Sequence, residues 1–304
     1  MESVDFIVAG AGVAGLSAGI YGSRAGLRTL VFDMSTVGGQ ALQIDSCENY
    51  PGIFPAESGF SLVEKMKSQA IEFGAKIILS NVISIQKKEN LFFVKTKDEE
   101  FCSKALCFAS GSEHKKLNIS GEKEFRGRGV SYCAVCDGPF FKNKDVLVVG
   151  GGDSACSEAL FLSKIASSVT IVHRRSSFRA QKSLVERIKC NEKIKLVFDS
   201  VLTRINGSLK VESVEIENAV TKQKTELLTA AVFVCIGMQP QSSILDFVEK
   251  DSLGYIVTDE NMETSERGLF CAGDVRSKPL RQIVTAASDG AIAAFSAEKY
   301  ISSL

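Results

Sequence analysis

The chain has 304 residues, enough for about two domains, and its 45% hydrophobic and 24% charged residues are typical of a globular enzyme. The 36 Lys and Arg residues equal the 36 Asp and Glu residues, so the net charge predicts no nucleic-acid binding. The apolar run from Ala230 to Gly237 is too short to cross a bilayer. Nine cysteines, an odd number without the spacing of a disulfide framework, predict reduced thiols and a cytoplasmic location.

A nucleotide-binding fingerprint lies at the N-terminus. The apolar segment Val4–Ala9 predicts a buried strand, and a G-x-G-x-x-G motif follows it before a predicted helix, with glycines at Gly10, Gly12 and Gly15. The first glycine makes a tight turn, the second lets the backbone approach a pyrophosphate, and the third lets helix and strand pack closely. The next predicted strand ends at Asp33, whose carboxylate can bind a free ribose 2′-hydroxyl. This site is predicted to take FAD or NAD, and not NADP.

A pair of cysteines lies in the middle of the chain. Cys133 and Cys136 are separated by two residues, and Asp137 follows them directly. Such a pair can form a redox disulfide, although it can also be half of a zinc site. Cys156 has no partner at ligand spacing and the chain holds only two histidines, so we predict redox chemistry and no metal site. Asp137 can exchange a proton with a thiolate, or can serve as a helix N-cap.

The nucleotide-binding pattern recurs after the cysteines. Asp145–Val149 predicts a strand, and a second fingerprint follows it, comprising Gly150, Gly152, Asp153, Ser154 and Ala155. Alanine is permitted at the last of these positions. After the next predicted strand, His173 occupies the position equivalent to Asp33.

The residues at and after that position form a basic run, which contains His173, Arg174, Arg175 and Arg179. A cationic cluster attracts the 2′-phosphate that a carboxylate would repel, so the second site is predicted to bind NADPH. The alternative, an ordinary solvated run of charges, stays open for Arg175 in particular.

Near the C-terminus, an apolar strand ends at Gly273-Asp274. A carboxylate at the carboxyl end of a strand faces the ligand crevice, so Asp274 is predicted to bind ribitol hydroxyls of a flavin. Arg281 and Gln282 precede a helix predicted over Ile283–Tyr300, whose positive end would stabilise a reduced flavin. The alternative is an ordinary terminal helix with a polar capping residue.

With these motifs in place, the whole chain resembles the low-molecular-weight thioredoxin reductase family. The features that carry the resemblance are the first fingerprint, the Gly38-Gly39-Gln40 turn with Glu48-Asn49-Tyr50-Pro51-Gly52, the Cys133 to Gly138 motif, the basic run from His173 to Ala180, and Gly273-Asp274-Val275 with Arg281-Gln282. Ser110 and Gln241 stand where the family usually has Thr and Asn, at the two expected domain linkers.

The resemblance implies an α/β fold with two Rossmann-like domains. An FAD domain would comprise residues 1–112 and 244–304, and an inserted NADPH domain, residues 113–243, would carry the redox disulfide. Gly39, Gln40 and Asn49 would join the FAD site. Family members are homodimers that use FAD and NADPH.

The implied activity is transfer of electrons from NADPH through FAD and the Cys133–Cys136 disulfide to oxidised thioredoxin. By resemblance Cys136 faces the flavin, while the cysteine that attacks thioredoxin stays open. Two alternatives remain from the sequence: a reductase of the same fold acting on a glutaredoxin-like or peroxiredoxin-linked protein, and a non-catalytic nucleotide-binding redox sensor. Five further cysteines are expected to be core residues: Cys102, Cys107, Cys156, Cys235 and Cys271. The roles of Cys47 and Cys190 stay open.

Overall fold

A computed structural model describes residues 2–44 and 46–304, without the side chain of Gln43. In chain order the strands are β1 Glu2–Ala9, β2 Thr29–Asp33, β3 Lys76–Leu79, β4 Ser84–Lys88, β5 Leu91–Lys95, β6 Glu100–Phe108, β7 Ser112–His114, β8 Val130–Ser131, β9 Asp145–Val149, β10 Ser168–Val172, β11 Ile194–Val197, β12 Ser200–Gly207, β13 Val211–Asn218, β14 Lys224–Leu228, β15 Ala231–Val234, β16 Met238–Pro240 and β17 Leu269–Cys271.

The α-helices are α1 Val13–Arg24, α2 Gly59–Glu72, α3 Ala134–Asp137, α4 Asp153–Leu162, α5 Lys182–Lys189 and α6 Ile283–Ser302. Short 3-10 helices span Gly39–Gln43, Gly138–Phe141 and Gly273–Val275. Mixed α/β structure with parallel sheets confirms the predicted fold class. No helix in the described part of the chain is long and apolar enough to cross a membrane.

The chain divides into two compact units. Unit 1 comprises Met1–Glu113 and Gln239–Leu304, and unit 2 comprises His114–Met238. The first division falls one residue after the boundary expected from the resemblance, and the second falls five residues before it. Two short strands run through the divisions: β7 pairs with β16, Lys115 N donates to Gly237 O at 3.0 Å, and Gln241 N donates to Gly111 O at 3.0 Å.

Unit 1 is built on a seven-stranded sheet in the order β3-β2-β1-β6-β5-β4, with β17 beside β6. Strands β1, β2, β3, β6 and β17 are parallel, whereas β4 and β5 join as antiparallel strands. Side chains of β1 alternate between two apolar cores, with Phe6 and Val8 in one and Ile7 and Ala9 in the other. A strand covered on both faces is apolar throughout, which explains the run in the sequence.

Unit 2 repeats this plan with a five-stranded parallel sheet, ordered β11-β10-β9-β15-β8. Val146 and Val148 of β9 pack into one core, and Leu147 and Val149 pack into the other. A three-stranded antiparallel sheet, β12-β13-β14, completes the unit and was not predicted from the sequence. In both units a glycine-rich turn joins the strand at the centre of the sheet to a helix, β1 to α1 and β9 to α4.

Candidate active site

The glycines of the first fingerprint have two different tasks. Gly10 has φ +113°, and an added Cβ there would overlap Ala109 O, while a Cβ at Gly15 would overlap Gly10 O. These two positions are therefore constrained by the protein's own backbone. At Gly12, by contrast, no described atom lies within 4 Å of the place that a Cβ would take. This open place beside the helix start is what a bound pyrophosphate requires.

Asp33 supports the same glycine loop. Its Oδ2 accepts a hydrogen bond from Ala11 N at 2.9 Å, and its Oδ1 accepts one from Ser35 N at 3.3 Å. Gly38 N also donates to Ala11 O, at 2.8 Å. The carboxylate thus lies against the loop at the end of β2, as a ribose-binding residue must.

The Gly38-Gly39-Gln40 turn lies next to this loop. Gly39 has φ +58°, and a Cβ there would come 3.4 Å from the Cα of Gly12. Gln40 is fixed by a hydrogen bond from its Nε2 to Ser112 O. Two predicted flavin-site residues, Gly39 and Gln40, are therefore held beside the first fingerprint.

The N-terminus of α6 brings together residues that are distant in the sequence. Asn49 Nδ2 donates to Gln282 Oε1 at 3.0 Å. Gln282 is the N-cap of α6 and forms a capping box with Thr285. Helix α6 crosses α1 closely, because Ser17 Oγ donates to Ala287 O at 2.7 Å and Gly290 leaves no room for a Cβ. The helix that follows the first fingerprint is thereby packed against the helix that begins after Gln282.

Asp274 follows β17 and is mostly buried. Burial raises the pKa of its carboxyl, opposed by the positive charges of Lys278 and Arg281. Asp274 Oδ1 lies 3.5 Å from Lys278 Nζ, outside good hydrogen-bond geometry, and it has no hydrogen-bond partner among the described residues. Arg281 Nε is likewise buried without a partner there, while its guanidinium stacks 4.0 Å from the centre of the Tyr255 ring. Buried polar atoms without a hydrogen bond, here Arg281 Nε and the ion-paired Asp274 Oδ1, fit a site that a polar cofactor completes.

A buried ionic cluster next to Asp274 was not predicted. Asp289 of α6 accepts hydrogen bonds from Arg276 Nη1 at 3.0 Å, Lys278 Nζ at 2.9 Å and Gly273 N at 3.0 Å. The side chains of Lys278 and Asp289 are 5% and 8% exposed, so both are deeply buried. Asp289 thus fixes the turn that carries Asp274. An aspartate in the middle of an alanine-rich helix was the available signal.

The second fingerprint reproduces the first in unit 2. Gly150 has φ +151°, and a Cβ there would overlap Cys235 O, whereas Gly152 has no described atom within 4 Å of a Cβ position. Asp153 Oδ1 accepts from Gln181 N at 2.8 Å, and Arg179 N donates to Gly151 O at 2.8 Å. The basic loop is therefore tied to the glycine loop at two points, and Ser154 is exposed in the first turn of α4.

His173 departs from the predicted cationic cluster. The imidazole is 5% exposed, stacks on the Phe178 ring at 6.1 Å between centroids, and occupies the space that a Cβ of Gly151 would need. Burial lowers the pKa of His173, and the nearby arginines lower it further. The ring is therefore neutral at pH 7, and the positive charge comes from the exposed side chains of Arg174, Arg175 and Arg179. Its buried Nε2 has no hydrogen-bond partner in the described chain.

The two central cysteines form a disulfide, Cys133–Cys136. Cys133 is the N-cap of α3, and its Sγ accepts a hydrogen bond from Cys136 N at 3.2 Å. Cys133 N donates to Ser131 Oγ at 3.1 Å. Asp137 ends α3 and stands at the N-cap of the next 3-10 helix without a side-chain capping bond. The disulfide and its hydrogen bonds place the redox pair at the start of a helix, where a thiolate is stabilised.

Glu158, which sequence reasoning missed, adjoins the redox pair and contacts Cys235, which packs against the apolar core of unit 2 as expected. Glu158 Oε2 accepts from Ala134 N at 3.3 Å and from Cys235 Sγ at 2.8 Å. Burial raises the pKa of the Glu158 carboxyl, and burial together with the neighbouring carboxylate raises the pKa of the Cys235 thiol well above its usual value. No group of three or more His, Cys, Asp or Glu residues in the described ranges could hold a metal ion.

Comparison with known proteins identifies the family of the chain. Residues 4–290 match the model of the pyridine nucleotide-disulphide oxidoreductases. The chain belongs to this family. A thioredoxin reductase from Treponema pallidum is 50% identical, with 99% of this chain and 98% of the relative covered. A thioredoxin reductase from Peptoclostridium litorale is 44% identical, with 100% and 99% covered.

Solved structures agree with the sequence relatives. The crystal structure of a thioredoxin reductase from Streptococcus pyogenes is 41% identical, has a TM-score of 0.91, and covers 99% of both chains. These full-length matches confirm the resemblance on which the predicted fold and activity rested.

Proposed function

We propose that this chain reduces oxidised thioredoxin with electrons from NADPH, using FAD and the Cys133–Cys136 disulfide. The activity is that of an NADPH-dependent flavoprotein thioredoxin reductase. One observation carries the assignment: a disulfide beside a nucleotide fingerprint, in a chain that matches thioredoxin reductases over its full length. The overall reaction is NADPH plus a proton plus thioredoxin disulfide, giving NADP⁺ and thioredoxin dithiol.

FAD is assigned to unit 1. The open place at Gly12 would receive the pyrophosphate, and Asp33 would bind the adenosine ribose. The remaining residues of the site are Gly10, Gly15, Gly39, Gln40, Asn49, Asp274, Arg281 and Gln282. Asp274 Oδ1 and Arg281 Nε support this assignment because they are buried without hydrogen bonds in the described residues.

NADPH is assigned to unit 2. The open place at Gly152 would receive its pyrophosphate, and Gly150, Asp153, Ser154 and His173 would shape the surrounding loop. Arg174, Arg175 and Arg179 are exposed and would bind the 2′-phosphate. His173 acts there as a neutral ring beneath Gly151.

The residues of unit 2 carry out the disulfide chemistry. When bound, FAD would supply the two-electron redox chemistry that links NADPH oxidation to disulfide reduction. Cys136 is assigned to the flavin side by family resemblance. The hydrogen bond from Cys136 N to Cys133 Sγ stabilises negative charge on the Cys133 sulfur when the S–S bond opens. The Asp137 carboxyl, next to Cys136 in the chain, is assigned the proton transfer to and from the thiolate.

Assembly and location are proposed from the family. Members are homodimers, so we infer a dimer of this chain, to be measured by analytical ultracentrifugation. A cytoplasmic location agrees with the seven cysteines outside the redox pair, none of which forms a disulfide in the described residues.

A steady-state assay tests the activity and both alternatives. NADPH oxidation is measured with candidate thioredoxins and glutaredoxins from the same source, and with a peroxiredoxin-linked system. The highest kcat/KM is expected with a thioredoxin. A higher value with a glutaredoxin-like protein would favour the first alternative. Stopped-flow mixing with NADPH that fails to bleach the flavin would favour the redox sensor.

A further inference from the structure

Three backbone N–H groups at the start of the redox helix each have a partner. Cys133 N donates to the hydroxyl of Ser131, Cys136 N donates to the sulfur of Cys133, and Ala134 N donates to the carboxylate of Glu158. Free N–H groups at a helix start bind and stabilise anions. Here one of the three is taken by a carboxylate, at the residue directly after Cys133.

Glu158 is held in this position from the other side as well. Its Oε2 accepts from the Cys235 thiol at 2.8 Å, and Cys235 follows β15 directly. The carbonyl of Cys235 lies against Gly150, the first glycine of the second fingerprint. One carboxylate oxygen therefore joins the redox helix α3 to the strand end beside the nucleotide loop.

The other ionisable groups around Glu158 are few. Helix α3 offers Cys136 and Asp137, with Cys133 at its N-cap, and α4 itself carries Asp153 in its first turn. The charged side chains of α5, which packs on α4, are exposed: Lys182, Glu186, Arg187 and Lys189. Glu158 Oε2 thus accepts a hydrogen bond from the redox helix through Ala134 N.

We propose that Glu158 is a positioning residue that sets the acidity and the reduction potential of the Cys133–Cys136 pair. It fixes the first turn of α3 through Ala134 N, and this contact holds its negative charge at the residue next to Cys133. The inference rests on the redox role that the proposed function gives to this pair.

The redox balance gives the sign of the effect. Reduction breaks the S–S bond, consumes two electrons that NADPH supplies through the flavin, and takes up two protons to give two thiols, or one proton to give a thiol and a thiolate. A fixed negative charge disfavours the thiolate. Glu158 therefore raises the thiol pKa and, at a pH where the reduced pair ionises, makes the disulfide harder to reduce.

The main test is Glu158→Gln, which keeps a side-chain oxygen for Ala134 N and removes the charge. The pH dependence of iodoacetamide alkylation of Cys133 and Cys136 is followed by peptide mass spectrometry in the NADPH-reduced holoenzyme. We expect the thiol pKa to fall by about one unit, a tenfold change in the thiolate-to-thiol ratio. The potential, measured against glutathione buffers at pH 9, is then expected to rise by about 30 mV, the value for a tenfold change in this two-electron couple.

The matched control is Glu186→Gln, which removes an exposed carboxylate from α5 of the same unit and is expected to leave the thiol pKa unchanged. If Glu158→Gln does not fold, Glu158→Ala removes the same charge and is expected to shift the pKa in the same direction. A thiol pKa and potential equal to those of the wild type, with only the melting temperature lowered, would reduce Glu158 to a packing role and overturn the inference. Failure of the proposed function would look different, because the wild type itself would then not reduce thioredoxin.

Discussion

The glycine loops of the two nucleotide fingerprints share one backbone conformation but differ in the residues that pack against them. Gly10 and Gly150 both take positive φ values, and Gly12 and Gly152 both face open space. The last position differs, because a Cβ at Gly15 would overlap the carbonyl of Gly10, whereas unit 2 buries an alanine there, Ala155. The loop of unit 1 is therefore the tighter of the two.

The residues at the carboxyl end of the second strand of each unit, Asp33 and His173, differ in charge. In unit 1, Asp33 accepts a hydrogen bond from Ala11, the middle residue of the loop. In unit 2, His173 packs its ring beneath the equivalent residue, Gly151, which has no room for a Cβ. Both residues support the loop, but one brings a negative charge and the other a neutral ring. The charge that separates the two sites is thus set by Asp33 on one side and by the exposed arginines on the other.

The largest expected effect comes from the Cys133–Cys136 pair, through which electrons must leave the flavin to reach thioredoxin. Cys133→Ser or Cys136→Ser should abolish thioredoxin reduction, because neither variant can form the disulfide, while NADPH still bleaches the flavin. Steady-state turnover and stopped-flow absorbance measure the two steps. Cys190→Ser, which changes an exposed cysteine of unit 2, is the control and should turn over normally. Thioredoxin turnover retained in either active-site variant would contradict the electron path.

Gly12→Val and Gly152→Val should show which cofactor each of the two fingerprints binds. Gly12 has φ −71° and ψ −174°, and Gly152 has φ −102° and ψ −175°, so both have extended backbones that valine accepts. The valine side chain would fill the place of a pyrophosphate. We expect Gly12→Val to be purified without FAD, and Gly152→Val to retain FAD while its KM for NADPH rises more than about tenfold. Flavin absorbance and initial rates measure these outcomes, and loss of FAD from Gly152→Val would reverse the assignment.

The strand, glycine turn and helix of each nucleotide site were predictable because short sequence patterns determine them. Strand β9 and the start of α6 agree with their predicted bounds, since apolar runs and glycine spacing are local signals. The side chains that hold these elements in place were less predictable. Glu158 and Asp289 lie within helices whose sequences look ordinary, and their roles depend on partners far along the chain, such as Cys235 and Gly273. His173 was included in the predicted cationic cluster because of its position in the sequence, and position does not reveal burial beneath Gly151.

A smaller effect is expected on cofactor preference, which tests the role of the exposed arginines of unit 2. Arg174→Ala or Arg179→Ala removes a charge-assisted hydrogen bond to the 2′-phosphate, worth about 1.5 to 3 kcal/mol, so kcat/KM for NADPH should fall roughly 10- to 100-fold. NADH lacks this phosphate, and its kcat/KM should hardly change. Equal losses with both cofactors would mean that the arginines serve the fold rather than cofactor choice.

The smallest effect concerns the stability of the two units in mild acid. Both histidines of the chain, His114 and His173, lie in unit 2, and burial lowers the pKa of each, that of His114 to about 4. Between pH 6.5 and 4, His114 is protonated in the unfolded chain but neutral in the folded one. The free energy of unfolding of unit 2 therefore decreases as the pH is lowered through this range. At pH 5.5 the loss from His114 alone is on the order of 1 kcal/mol.

A buried carboxyl has the opposite sign, because a raised carboxyl pKa favours the folded state as pH falls. Burial raises the pKa of one such carboxyl in each unit, Asp274 in unit 1 and Glu158 in unit 2, so the buried histidines are what distinguishes unit 2. Hydrogen exchange followed by mass spectrometry at pH 7 and 5.5, corrected for intrinsic rates, should therefore show earlier opening of β9 and β10 than of β1 and β6 in acid. In the wild type the ring centroids of His114 and Tyr132 lie 5.1 Å apart. His114→Phe keeps an aromatic ring against Tyr132 and removes the group that binds the proton. The variant should flatten the acid response of unit 2, and an unchanged response would show that the histidine does not cause it.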